Sequence, residues 1–245
     1  MARLAREISK NGLYHIVFRG VNHQNIFEEA ADYQKLKDVL IELKNQMEYE
    51  IYAYCFMSNH VHILLKENNI GDISLIMKRL LTKYARWYNL KYKRSGALIA
   101  NRYKSKPIDI DEYFLSVIRY IHQNPLKANM VNDISKYKWS SYNQYIKNTA
   151  DLIDKDFVLG MLPKEEFIEF HKTEEELSFE VTDRIRISDN EIRINILKDI
   201  GIEPISIANL EKGKRDEILR LLKTKYSLRQ LERVTGISRG VIHKS

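Results

Sequence analysis

Two strand-like segments joined by only two residues constrain the fold of this chain most strongly. Residues 50–57 (EIYAYCFM) and residues 60–66 (HVHILLK) are rich in aromatic and β-branched residues, and Ser58-Asn59 lies between them. A two-residue connection joins neighbouring antiparallel strands, so the sequence predicts a β-hairpin. Any fold for this chain must therefore contain an antiparallel sheet.

The elements around this hairpin complete an α+β pattern. The sequence predicts a strand at 13–20, an amphipathic helix at 30–49, a second at about 72–92, a strand within 97–109, and a third helix from Asp111 to Asn124, just before Pro125. The order strand, helix, strand, strand, helix, strand, helix indicates a ferredoxin-like (split βαβ) antiparallel sheet. We expect its helices on one face, with the other face left to hold a site.

The charge distribution divides the chain into three parts. Residues 1–149 carry 23 Lys and Arg against 14 Asp and Glu, residues 150–210 carry 7 against 15, and residues 211–245 carry 10 against 4. We interpret these parts as a basic domain, an acidic and mainly helical connecting region, and a second basic module. Two basic ends favour a polyanionic partner.

The last part resembles a helix-turn-helix. An amphipathic helix is predicted at 214–226, and Gly236 would form the turn after the next helix. Ser238 would begin a short recognition helix that carries Arg239, and Arg229 lies on the helix before it. The alternative is a plain helical hairpin with a basic surface.

The segment SNHVHILLK places two histidines in an apolar strand. Side chains of a strand alternate between faces, so His60 and His62 share one face while Val61, Ile63 and Leu65 share the other. Two imidazoles side by side can chelate one metal ion, although this pattern alone is also compatible with an incidental role. In the third helix, Tyr120 and Asn124 are neighbours one turn apart. Packing of Tyr120 and capping by Asn124 remain the simpler explanation of that spacing.

Four segments together resemble a known family. AYCFMSNHVHILL, NRYKSKPIDIDEY, VIRYIHQNPLKANMV and WSSYNQY are similar, in this order, to segments of the HUH-type single-tyrosine transposases. Within these, the chain is most like the REP-associated tyrosine transposases, which carry a transposase IS200-like domain. The resemblance covers roughly residues 10–146.

The resemblance implies a site and a reaction. The HUH motif falls on His60-Val61-His62, the nucleophilic tyrosine on Tyr120, and a polar metal ligand on Asn124, where the insertion-sequence branch commonly has glutamine. It implies a divalent cation, Mg²⁺ or Mn²⁺, and cleavage and rejoining of single-stranded DNA through a 5′-phosphotyrosine, near hairpin-forming sequences. A free tyrosine has a pKa of about 10, so Tyr120 would need help to attack. Tyr103 and Tyr113 are the competing tyrosines.

Basic residues indicate how DNA would be held. Between Lys78 and Lys106 the chain has ten Lys and Arg and no Asp or Glu, with aromatic residues interleaved. Basic side chains contact phosphates, and exposed aromatic rings stack on unpaired bases. The expected DNA contacts are Lys83, Arg86, Arg102, Lys104, Lys106, Arg229 and Arg239.

Two rival functions stay open: a sequence-specific DNA-binding protein without catalysis, and a metal-dependent hydrolase that uses water instead of tyrosine. One cysteine, no apolar stretch of membrane-spanning length and an amino terminus without a signal-peptide pattern favour a cytoplasmic, nucleoid-associated protein with no membrane partner. A monomer and a homodimer are both compatible with the sequence.

Overall fold

The computed structural model describes residues 7–100, 102–108, 112–147, 149, 151–173, 189–226 and 228–244. The chain forms two compact units, Met1–Val181 and Thr182–Ser245. The boundary lies inside the region predicted as an acidic connection. The predicted division into residues 1–149, 150–210 and 211–245 stays a prediction.

The first unit contains a four-stranded antiparallel sheet. Its strands are β1 (Leu13–Arg19), β2 (Glu50–Phe56), β3 (His60–Lys66) and β4 (Lys104–Pro107), in the spatial order β2-β3-β1-β4. The hairpin β2–β3 pairs Phe56 with Val61 and Cys55 with His62. This confirms the predicted α+β class and the ferredoxin-like strand order.

Helices α1 (Ala30–Met47) and α2 (Ile73–Lys91) pack against each other and close the main hydrophobic core. The buried carboxylate of Asp32 joins them: it accepts hydrogen bonds from the Glu28 and Glu29 backbone N–H groups at the start of α1 and from the Tyr92 hydroxyl after α2. Phe27, between β1 and α1, contacts both Phe56 of β2 and Tyr84 of α2. The layer of α1 and α2 therefore covers the sheet face that carries Phe56.

Helix α3 (Glu112–Lys127) covers the opposite face, which we expected to be open. Its apolar residues Phe114, Val117, Ile118 and Ile121 are fully buried. A long amphipathic helix cannot leave such a stripe in water, so it packs on the second face and makes that side of the sheet part of the core.

The end of α3 differs from the prediction. We predicted that the helix ends at Asn124, but it continues through Pro125 to Lys127. Proline removes one N–H donor, yet the Asn124 carbonyl still accepts a hydrogen bond from the Ala128 N–H at 3.0 Å, so the last turn closes. The predicted cap at Asp111 lies outside the described residues.

Short elements complete the first unit. Helices α4 (Tyr142–Ile146), α5 (Lys155–Met161) and α6 (Lys164–Lys172) follow α3 in the chain. The stretch 139–141 lies along the outer edge of β2, where the Phe56 N–H donates to the Trp139 carbonyl and the Ser141 N–H to the Tyr54 carbonyl. This stretch satisfies backbone groups that an edge strand would otherwise expose.

The second unit has its own small core. Its helices are α7 (Asp189–Ile200), α8 (Lys212–Lys225), α9 (Leu228–Thr235) and α10 (Arg239–Lys244). Gly236 adopts a positive φ of 75° between α9 and α10, a conformation that costs glycine little. Leu231, Ile237 and Ile242 are buried in this core, and the helix-turn-helix stays a prediction. Among the described residues, no helix is both long and apolar enough to span a membrane.

Candidate active site

The histidine pair lies at the start of β3, on the face covered by α3. The ring centroids of His60 and His62 are 5.0 Å apart. His60 is half-buried and His62 is buried. The alternation of strand side chains, read from the sequence, therefore places both imidazoles on one side of the sheet.

Neighbouring groups fix the His60 ring. Its Nδ1–H donates to Asn59 Oδ1 at 2.6 Å, because a carbonyl oxygen can only accept. The Asn59 side-chain amide in turn donates to the His23 carbonyl at 3.3 Å. In the neutral ring the lone pair then lies on Nε2, the nitrogen that no described residue hydrogen-bonds. This is the tautomer that a metal ligand needs.

His15 is a third member of the site, and we did not single it out from the sequence. It is fully buried on β1, and its Nε2 lies 3.0 Å from His62 Nδ1. The pairing of Val17 with His62 puts His15 on the same face two residues away. The sequence signal was available: the strand LYHIVFR contains a single histidine among apolar residues, with the alternation that would bring it to this face.

Both HUH histidines are held in their neutral form. Burial, followed by the positive charge of Arg19 and the nearby His23, lowers the pKa of His60 to about 4. Burial and the neighbouring His15 and His60 hold the pKa of His62 well below its usual value. At neutral pH both rings can therefore offer a lone pair without first losing a proton.

Tyr120 lies against this histidine cluster. Its ring centroid is 5.9 Å from His62 and 5.9 Å from His15, in edge-to-face contacts. The side chain is only 6% exposed. The Lys127 ammonium lies 5.3 Å from the Tyr120 ring centroid, close enough for a cation–π contact.

Asn124 lies one turn after Tyr120 and is oriented by it. Its side-chain Nδ2 donates to the Tyr120 carbonyl at 2.8 Å, which leaves Oδ1 as an available acceptor. Within the described part of the chain, no three His, Cys, Asp or Glu side chains are grouped so as to hold a metal ion. Asn124 Oδ1 is an amide oxygen of the kind that could serve as a third ligand beside the two histidines.

The competing tyrosines have different surroundings. Tyr113, two turns before Tyr120 on α3, is 53% exposed. The Tyr103 hydroxyl is buried near Ser74 of α2, with 3.5 Å between the two oxygens. The assignments of Tyr120, His60, His62 and Asn124 stay predictions, now with a geometry that brings Tyr120 to the histidines.

The predicted DNA contacts fall in separate places. On β4, Lys104 pairs with Val17 and Lys106 with His15, so both lysines share the sheet face of the histidines, and the exposed Arg102 precedes them. Lys83 and Arg86 are exposed on α2, in the other helical layer, and Lys83 binds Glu42 at 2.5 Å. Arg239 binds Glu232 at 2.9 Å. The Arg229 side chain lies outside the described residues.

Comparison with known proteins agrees with the resemblance seen in the sequence. Residues 9–124 match the model of the family described as Transposase IS200 like. A curated REP-associated tyrosine transposase from Haemophilus influenzae is 25% identical over 169 residues, which cover 64% of this chain and 93% of that protein. The solved structure of a REP-associated tyrosine transposase bound to a REP hairpin has a similar fold, with a TM-score of 0.55 and 18% identity over 76% of this chain and 99% of the other.

Proposed function

We propose that this chain, whose residues 9–124 match the IS200-like transposase family, is an enzyme that cuts and rejoins single-stranded DNA through Tyr120. The observation that carries the proposal is the contact between the Tyr120 ring and His62 at 5.9 Å. A tyrosine buried against neutral histidines, with an amide ligand one turn away, is an arrangement that can combine a nucleophile with a metal ion.

A divalent cation, Mg²⁺ or Mn²⁺, would be held by His60 Nε2, His62 Nε2 and Asn124 Oδ1. Mixed nitrogen and oxygen donors suit Mn²⁺ better than Mg²⁺, and three protein ligands leave coordination positions for phosphate and water. Cys55, opposite His62 on β2, is a poor fourth ligand because burial raises the pKa of its thiol. When bound, the ion would polarise the scissile phosphodiester.

The protein's own residues would supply the rest of the chemistry. The Tyr120 oxygen bonds to phosphorus, the bond from phosphorus to the 3′ oxygen breaks, and the phenol proton ends on that 3′ oxygen. One phosphoester replaces another, so the step needs no external energy source, and attack by another 3′-hydroxyl reverses it. The Lys127 ammonium beside the ring favours the phenolate as it forms.

The substrate we propose is DNA with a hairpin beside a single-stranded segment. The fold neighbour is a REP-associated transposase bound to a REP hairpin, and Lys104 and Lys106 lie on the histidine face of the sheet. The helix-turn-helix-like α9 and α10 would add a duplex contact through Arg239. Such a protein would act on the nucleoid in the cytoplasm, as a monomer or a homodimer.

The test is covalent capture of DNA. The wild-type chain is incubated with Mn²⁺ and end-labelled hairpin DNA that carries single-stranded flanks, and products are separated under denaturing conditions. We expect a labelled protein band that Tyr120→Phe abolishes while DNA binding persists. Tyr113→Phe, on the same helix, is the matched control and keeps the band.

Three outcomes would contradict the proposal. If the wild type binds DNA but gives no adduct, the protein is a DNA-binding protein without catalysis. Turnover that survives Tyr120→Phe would indicate a hydrolase that uses water. If Tyr113→Phe loses the band and Tyr120→Phe keeps it, Tyr113 is the nucleophile.

A further inference from the structure

We propose that a recess at the outer edge of the sheet binds one nucleotide of single-stranded DNA. This inference rests on the proposed function, since it assigns part of the DNA to a second place on the first unit. The recess has a volume of about 450 Å³ and lies between α1, β2 and the stretch 135–151. That volume is within the range of clefts that bind small ligands.

The described residues that line the recess carry more lysines than carboxylates. Four lysines line it, and its one carboxylate, Asp151, forms an ion pair with Lys37. Among the described residues, no carboxylate pairs with Lys136, Lys138 or Lys147. Three ammonium groups around one cavity repel each other, and a bound phosphate would remove that repulsion.

A buried acceptor without a partner lines the same recess. Gln144 is 8% exposed, and its Nε2 donates to the Tyr54 hydroxyl at 2.7 Å, while its Oε1 accepts no hydrogen bond. A buried acceptor without a hydrogen bond destabilises the folded protein. When the Gln144 side chain turns toward the recess, an N–H donor on a ligand can satisfy this acceptor, and every nucleobase has such a donor when it is unpaired.

A partly exposed aromatic stack lies beside the lysines. The rings of Tyr33 and Trp139 stack at 4.5 Å, and the Lys138 ammonium lies 4.8 Å from the Trp139 ring centroid. Lys37 follows Tyr33 by one helical turn on α1. Phosphate-binding lysines next to aromatic rings are typical of single-strand binding, because the rings stack on bases.

The recess is close enough to the histidines for one DNA molecule to reach both. Ser140 lines the recess and pairs with Cys55, and Cys55 pairs with His62 on the next strand. Two strand spacings, about 10 Å, therefore separate the backbone of Ser140 from that of His62. DNA held at Tyr120 would therefore have a flanking nucleotide within reach of the lysines.

The test measures binding of the full chain to labelled hairpins by fluorescence anisotropy over a range of salt concentrations. One hairpin has a single-stranded extension, one has the same extension without bases, and one has no extension. The variant is Lys136→Gln/Lys138→Gln/Lys147→Gln. The matched control replaces three exposed lysines elsewhere, Lys10→Gln/Lys164→Gln/Lys198→Gln, for the same change in charge.

We expect the recess variant to bind both extended hairpins about 10-fold more weakly, while the control binds like wild type. The slope of log affinity against log salt concentration should decrease by the amount that about two phosphate contacts contribute. Gln144→Leu should weaken binding a few-fold only when the extension has bases, without changing the salt dependence. Equal losses in the recess variant and the control, or equal losses with and without the extension, would overturn the proposal. A wild type that gives no adduct would instead contradict the proposed function alone.

Discussion

The first unit contains two buried pairs of contacting histidines, and the pairs differ in what their remaining nitrogens meet. In one pair His15 Nε2 and His62 Nδ1 are 3.0 Å apart; in the other His122 Nδ1 and His171 Nε2 are 2.9 Å apart. Burial lowers the pKa of His62, His122 and His171, so these rings are neutral at pH 7. Both pairs are therefore buried, but they differ in the partners of their other ring nitrogens.

The second pair is closed by the protein. His122 Nε2 lies 2.7 Å from Ser141 Oγ, and the His171 Nδ1–H donates to the Phe167 carbonyl at 2.8 Å. Each ring nitrogen of the two histidines thus has a protein partner. The pair connects α3 to α6 and to the edge of β2, and Gln123 adds hydrogen bonds to the carbonyls of His171 and Thr173. The closed pair therefore anchors α3, the helix that carries Tyr120.

The first pair is open. Its open nitrogen is His62 Nε2, to which no described residue hydrogen-bonds, and the same holds for Nε2 of the neighbouring His60. The Nδ1 atoms of His62 and His60 are both engaged. Burial and a histidine–histidine contact are therefore not sufficient for a metal site. A site needs nitrogens that the protein orients but does not use.

The largest effect should come from removing an open nitrogen. We expect His62→Ala to weaken Mn²⁺ binding at least about 100-fold, more than loss of a supporting residue usually costs, and to abolish the DNA adduct. Isothermal titration calorimetry with Mn²⁺ measures the affinity. His23→Asn, which keeps a residue that tolerates the positive φ of 61°, should bind Mn²⁺ like wild type. If His62→Ala bound Mn²⁺ as tightly as wild type, the open pair would be no more a metal site than the closed pair.

The closed pair should appear in stability rather than in metal binding. The pKa of His171 is about 4 in the folded state, against about 6.5 when unfolded, so the unfolded chain takes up the proton first as pH falls. Above pH 6.5 the neutral His171 contributes about 3 kcal/mol to the free energy of unfolding. This contribution decreases as the pH falls from 6.5 to 4. Urea unfolding at several pH values measures this loss.

His171→Gln is the control for this pH dependence. The glutamine can still accept from His122 but does not titrate, so the slope of unfolding free energy against pH should fall by about one proton between pH 4 and 6.5. Its Mn²⁺ affinity should stay at the wild-type value. An unchanged slope would show that His171 is not buried in its neutral form.

A smaller effect is expected at His15, the member of the open pair that orients the His62 ring. His15→Ala should weaken Mn²⁺ binding about 10- to 100-fold, because the His62 ring loses the group that orients it. His15→Gln should recover part of the affinity, since its amide oxygen can accept from His62 Nδ1–H. Equal affinity in His15→Ala and wild type would mean that β3 alone orients His62.

The sequence predicted the parts of this molecule that depend on local pattern. The bounds of β3 and the common face of His60 and His62 followed from the alternation of HVHILLK, and the two-residue turn determined the antiparallel pairing. The covering of the histidine face by α3 did not follow, because helix periodicity shows a buried stripe without showing which surface buries it. Pro125 was misleading because a proline in the last turn removes only one hydrogen bond.

Contacts across the sheet were the least accessible to sequence reasoning. His15 lies 47 residues before His62, and only the register of β1 with β3 brings them together. The lysines of the recess are likewise separated in sequence by more than 90 residues between α1 and the stretch that covers β2. Tyr84 and Tyr88, by contrast, lie on the apolar stripe that the sequence predicts for α2, and both are buried in the core.

A mixing experiment tests whether Tyr120 and His62 of the same chain form one site. Tyr120→Phe and His62→Ala are each incubated alone and then together with Mn²⁺ and labelled hairpin DNA, with wild type as the positive control. We expect an adduct for wild type and none for either variant or for their mixture. An adduct restored in the mixture would contradict this expectation, because Tyr120 of one chain would then be working with His62 of another.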